Sequence, residues 1–187
     1  MQMFNMPAVN FFDIKKETRN TLNERCEKAF NLANEHDTSV YWVNLNDEAK
    51  LLKSLDKNSY EIKGAMSIDQ KEEMLIGFAK GDIKKLITKT KITAFGLNWQ
   101  HCNHTTYFPT YSYEQYYQAI RRFWRFGQKN NVTVDLVLSD GQTRIMDSLS
   151  VKKTKANDMF TKLSQNVNSI YEIQKREFTK EIIKPKF

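Results

Sequence analysis

The sequence predicts an α/β fold, a parallel sheet flanked by helices, with a helical N-terminal segment before it and a helical C-terminal tail after it. Two observations predict this. From residue 38 to about residue 140, short β-rich runs alternate with stretches of helical periodicity, the pattern of a parallel sheet with helices on both faces. The first run, TSVYWVNL (38–45), carries no charge, as a strand buried on both faces requires.

Taken in order, residues 17–36, ETRNTLNERCEKAFNLANEH, read as an amphipathic helix with Leu22, Cys26, Phe30 and Leu32 as its apolar contributors. After the strand at 38–45, NDEAKLLKSL (46–55) opens on a capping residue and continues with helical periodicity. SYEIKG (59–64) is a short strand ending in glycine. SIDQKEEMLIGFAKG (67–81) starts at Ser67, has Gln70 in place for a capping box, and stops at Gly81. A strand KKLITKT (84–90), a glycine-containing loop, a strand NHTTYF (103–108), an arginine-rich helix and a strand VTVDLVL (132–138) complete the alternation. From about Gly141 the chain is polar, Lys-rich and helical. The expected segments are 1–37, N-terminal helical; 38–148, the sheet domain; and 149–187, a helical Lys-rich tail.

The 187 residues suffice for one domain with a real core, and 40% hydrophobic with 27% charged is ordinary globular composition. No run of about 18 apolar residues is present, so no membrane partner is expected. The start, MQMFNMPAVNFFDIKKE, lacks the order of a secretory signal, and Cys26 and Cys102 are far apart. Together these favour a reduced, intracellular setting. A net charge of +7 favours an anionic partner, nucleic acid among them.

Ligands of parallel sheets gather at the carboxyl ends of the strands, which directs attention to the loop after 84–90 and the helix after 103–108. On a helical wheel of about 100° per residue, Glu114, Gln118, Arg122 and Arg125 fall on one stripe. Tyr116, Tyr117, Ile120, Phe123 and Trp124 cover most of the other side and are expected in the core. Such a stripe suits phosphate, because guanidinium groups stay charged and offer forked donors.

These residues also carry a family resemblance. QAIRRFWRFGQ (118–128) meets every spelled-out position of the pattern QAxxRxxRxGQ, and VTV (132–134) with Asp140-Gly141 follows it as the next strand and turn should. TKITAFGLNWQ (90–100) is similar to the preceding motif, TxxGGxGxNL, through Thr90, Gly96, Asn98 and Trp99, although Thr93 and Ala94 replace its paired glycines. Gly64 and Ser67 match an xGxxS turn, and FAKGD (78–82) an FxxG segment. On these motifs, residues 38–148 resemble the second, RecA-like motor lobe of superfamily 2 helicases, within them the Swi/Snf-type translocases.

The resemblance implies that Arg122 and Arg125 reach ATP bound with Mg2+ on a first helicase lobe, with Arg125 as the arginine finger, Arg122 supporting the nucleotide or the lobe interface, and Gln118 orienting the cluster. It places Gly96, Asn98 and Gln128 on the nucleotide side, and Thr90, Lys91, Asn98 and Trp99 against the backbone of nucleic acid, duplex DNA in this branch. These 187 residues contain no GxxxxGK(S/T) loop and no acidic box closing a buried strand. The expectation is therefore half a motor, with no ATP tightly bound to this chain and hydrolysis only beside a first lobe in cis or trans. The alternative is a stand-alone DNA-binding or regulatory, inhibitory protein that keeps the lobe. HCNH (101–104) has no second pair of ligands nearby, so no metal site is expected.

Overall fold

The inner strands offer little to water. β1 (Ser39–Trp42) and β4 (His104–Tyr107) are buried at every position, and β3 (Lys85–Thr88) at three of four. Together with the edge strands β2 (Tyr60–Glu61) and β5 (Thr133–Leu136) they form a five-stranded sheet of order β2-β3-β1-β4-β5, parallel at every pairing. β1 lies at the centre, with Val40 between Leu86 and Thr105. This computed structural model describes residues 11–92 and 98–180, with side chains from 14–92 and 98–162.

Because side chains alternate along a strand, each buried strand must feed two cores. Val40, Trp42, Leu86 and Tyr107 join Phe78, Trp99 and Phe123 on one face. Tyr41, Val43, Ile87 and Phe108 pack on the other against Cys26, Ala29 and Leu52. The first core is covered by α4 (Ile68–Lys80) and α5 (Tyr113–Ile120), the second by α2 (Leu22–Asn34) and α3 (Asn46–Leu55). Each large apolar side chain so buried contributes about 1.5–3 kcal/mol. The expected α/β architecture is what the chain adopts.

Helix ends follow their capping chemistry where it is strong. Ser67 Oγ accepts from the Gln70 amide at 3.2 Å, the Gln70 side chain accepts from the Ser67 amide at 3.2 Å, and Gly81 closes α4 in the left-handed conformation at φ 89°. Among the described residues helix is present from Phe11, six residues before the expected start at 17. α1 (Phe11–Asn20) is separated from α2 by Thr21 alone, and the bonds Thr21 N to Glu17 O and Arg25 N to Thr21 O carry the helix across. α1 is held by a distant element, the 3₁₀ turn Asp140–Gln142, where Gln142 Nε2 donates to Thr18 Oγ1 at 2.7 Å. A Cβ on Gly141 would stand 2.9 Å from the Glu17 side chain, which would have to move aside to admit one.

By its contacts the chain divides into two units, 1–147 and 148–187. The first contains α1 to α5 and the whole sheet; the second is built on the continuation of α6 (Thr143–Lys180). Among the described residues no helix is long and apolar enough to cross a membrane.

Candidate functional site

α5 begins just beyond the carboxyl end of β4, where Ser112 Oγ accepts from the Gln115 amide at 3.3 Å, and runs back toward the start of β5. Residues 89–92 follow the carboxyl end of β3, and residues 98–103 lead into the amino end of β4. The expected site residues are thereby divided between two edges of the sheet.

Thr90 and Lys91 stay at the carboxyl edge. They line an open cleft of about 520 Å³ with Asn44 from the end of β1 and Gln115 from α5, and Thr90 Oγ1 lies 3.5 Å from Gln115 Oε1. Next to it is a second cleft of about 430 Å³, bordered by Lys50, Lys63 and Lys89, where Lys89 Nζ donates to Asn46 Oδ1 at 2.7 Å. Lys91 and Asn98 are exposed; Gly96 lies outside the described residues.

A buried ion pair shapes this edge, and the sequence reading missed it. Arg25 Nη1 meets Glu48 Oε1 at 3.0 Å, with the side chains 4% and 0% exposed. Glu48 Oε2 accepts from the amides of Asn44 and Leu45, both at 2.9 Å, which fixes the chain where it leaves β1. Arg25 also donates to the Thr18 carbonyl at 2.6 Å and to Thr21 Oγ1 at 3.2 Å. In sequence Glu48 is an acid in the first turn of a helix, and nothing local announces its partner 23 residues away.

The arginines lie at the opposite, amino edge, which corrects the expectation that they share the carboxyl edge with the loop. α5 ends at Ile120, and the chain tightens into turns with Phe123 N bonded to Ile120 O at 3.0 Å and Gln128 N to Arg125 O at 3.1 Å. The helical wheel no longer applies there. Arg122, expected on the exposed stripe, is 8% exposed; Trp124, expected in the core, is 63% exposed. The Arg122 guanidinium lies 5.3 Å above the Trp99 ring, and Trp99 N donates to the Arg122 carbonyl at 3.0 Å. Burial, with the Arg125 charge adding to it, lowers the Arg122 pKa from its ordinary value.

Trp99 is fully buried among Trp42, Phe78 and Phe123, at centroid distances of 5.7, 5.1 and 5.6 Å. It is a core platform beneath an arginine, which replaces the expected nucleic-acid contact. Gln128 Nε2 donates to the carbonyls of Cys102 (3.3 Å) and Phe123 (3.2 Å), and its Oε1 accepts from the Asn130 amide at 3.0 Å, so it ties the turn to the loop before β4. Gln118 bonds Glu114 Oε1 at 3.1 Å on the exposed side of α5. Arg125 is exposed, and its Nε donates to the Arg121 carbonyl at 3.0 Å.

One array at the amino edge has the composition of a hydrolase triad. Ser39 Oγ is 2.8 Å from His104 Nδ1, and His104 Nε2 is 2.9 Å from Asp135 Oδ2. Ser39 and His104 are fully buried and sit on adjacent central strands, so no substrate can reach the hydroxyl. The array is a cross-strand lock from β1 to β5, with His36 stacked on His104 at 3.8 Å. Among the described residues no group of three or more His, Cys, Asp or Glu could hold a metal ion.

The helicase conserved C-terminal domain family matches residues 16–127. The chain belongs to that family. It shares its fold with the following solved domains. The C-terminal part of the Fun30 ATPase domain aligns over 70% of this chain and 44% of its own, at 15% identity and a TM-score of 0.56. S. cerevisiae Dbp5 bound to Gle1 and IP6 aligns over 70% of this chain and 36% of its own, at 17% identity and 0.61. The C-terminal domain of Dbp5 is covered to 80% at 15% identity and 0.58. The chain thus spans less than half of the Fun30 and longer Dbp5 structures. No curated protein sequence matches it significantly.

Proposed function

We propose that this helicase C-terminal domain acts as the second motor lobe of an ATP-driven, Swi/Snf-type nucleic-acid translocase. The observation that carries the reading is the arginine turn. It presents Arg125 to solvent on a backbone pinned by Gln128, directly beside an arginine stacked on the core. A guanidinium mounted this way is oriented before any ligand arrives, which is how a group stabilising charge on a transferring γ-phosphate gains its effect. Arg122 supports the turn from beneath through Trp99. ATP and Mg2+ are held by a first lobe carrying the phosphate loop, in cis or in trans.

The lysine-bordered carboxyl edge supplies the track contact, with Lys91 and Thr90, and Lys89 beside them, meeting the phosphates of duplex DNA. This edge also favours the second reading, a DNA-binding regulator that works without a first lobe. The two are separated by ATP hydrolysis measured in the presence of duplex DNA, for the chain alone and after adding a first lobe that contains GxxxxGK(S/T). The motor reading expects hydrolysis in the mixture above that of either part. DNA binding by the chain with no gain in hydrolysis for any such lobe supports the regulator.

A further inference from the structure

Trp124, which the wheel assigned to the core, instead forms a displayed patch with Phe126. Trp124 is 63% exposed and Phe126 fully so, and they flank Arg125 in sequence, with Arg121 and Lys129 also exposed. The display is built and rigid. Gln100 Nε2 donates to the Phe126 carbonyl, and Gly127 takes φ 97° with its missing Cβ facing the Gln100 side chain at 3.0 Å. No acidic residue occurs from Gln115 to Val134. Two solvent-facing rings on a fixed turn, interleaved with guanidinium groups and no nearby acid in sequence, match the chemistry of a nucleotide: a planar base for the ring faces and phosphate for the cations.

We infer that Trp124 and Phe126 are the base-stacking half of a nucleotide-binding surface on the arginine turn. The phosphate half rests on the reading of Arg125 above; the base half does not. The ligand is a free nucleoside triphosphate. An unpaired strand or a protein partner seated on the rings is the competing outcome.

Trp124 provides the probe, because Trp42 and Trp99 are buried at 1% and 0% exposure. The full chain is titrated with Mg-ATP, with oligo(dT), and with the base-free controls Mg-tripolyphosphate and an abasic strand, following tryptophan fluorescence and its quenching by iodide. The expected result is that Mg-ATP quenches Trp124 and shields it, and binds about tenfold more tightly than Mg-tripolyphosphate. Trp124→Ala and Phe126→Ala, read by anisotropy of labelled ligands, then each remove about that factor. Both side chains are exposed, so unchanged thermal unfolding separates this effect from misfolding. Base-dependent binding of the strand with none of ATP assigns the rings to the track and overturns the inference. Equal binding of base-bearing and base-free ligands, unchanged affinity in both variants, or no binding at all overturns the inference. If Arg125→Ala abolishes hydrolysis in a two-lobe mixture while both aromatic variants keep wild-type ATP affinity, the arginine reading stands and this one falls.

Discussion

At the carboxyl edge of the sheet, Lys89 and Lys91 extend flexible stems beside open clefts, and Lys89 is tethered by one bond to Asn46. At the amino edge, Arg122 is stacked on a fully buried tryptophan, and the turn around it is tied to Cys102 and Phe123 by Gln128. Both edges are cationic, but their mechanics differ. Lysines on free stems can follow an irregular chain of phosphates, whereas arginines fixed to a core have one direction in which to act. In the function proposed above, the difference separates two tasks: adaptable contact with a track, and preorganised contact with one reacting group.

The comparison breaks most readily at Trp99. Trp99→Ala removes a fully buried ring and the platform of Arg122, and an expected loss of about 3–5 kcal/mol is measurable by urea unfolding. A loss below about 1 kcal/mol would mean that the amino edge is not built on this side chain. Next is Gly127→Ala, which forces a side chain into φ 97° against Gln100 and is expected to cost about 1–3 kcal/mol. Unchanged stability there would show that the turn adapts as freely as the lysine edge.

A third test is pH. Burial lowers the His104 pKa below its ordinary 6.5, with the bond to Asp135 opposing and the charge of His36 assisting. The neighbouring Glu35 also opposes the shift. Because the folded value is the lower one, the unfolded chain binds more protons as pH drops. This contribution is complete above pH 6.5 and is lost as pH falls from there toward the folded value. Thermal unfolding should therefore come at lower temperature below pH 6.5, and less steeply so in His104→Gln. An identical pH profile in the variant would remove His104 from the amino-edge lock. The smallest effect on stability is expected at the other edge. Lys91→Ala should stay within about 0.5 kcal/mol of the parent while reducing the salt slope of duplex binding by about 1. An unchanged slope would take Lys91 off the track.

How far the sequence reveals these regions follows from whether the deciding contact is local. α4 was legible because Ser67, Gln70 and Gly81 act within their own helix. α3 and the alternation of buried strands were legible for the same reason. The arginine helix was read too long because periodicity assumes that the helix continues. Trp99, from another loop, draws Arg122 inward through a backbone bond and its ring face, and the turn then swings Trp124 out. The pairs Arg25–Glu48 and Ser39–His104 were invisible because their partners are 23 and 65 positions apart. The motif around residues 118–128 indicated which residues matter, but not which of its arginines would be buried.

The central claim, that the amino edge serves the nucleotide and the carboxyl edge the track, is tested most directly by Arg125→Ala. The measurement is steady-state ATP hydrolysis in a mixture with a first lobe at saturating duplex DNA, with DNA affinity measured alongside. The account predicts a fall in kcat of about 10³-fold or more with DNA affinity unchanged. A variant that keeps its kcat but loses DNA affinity would contradict it.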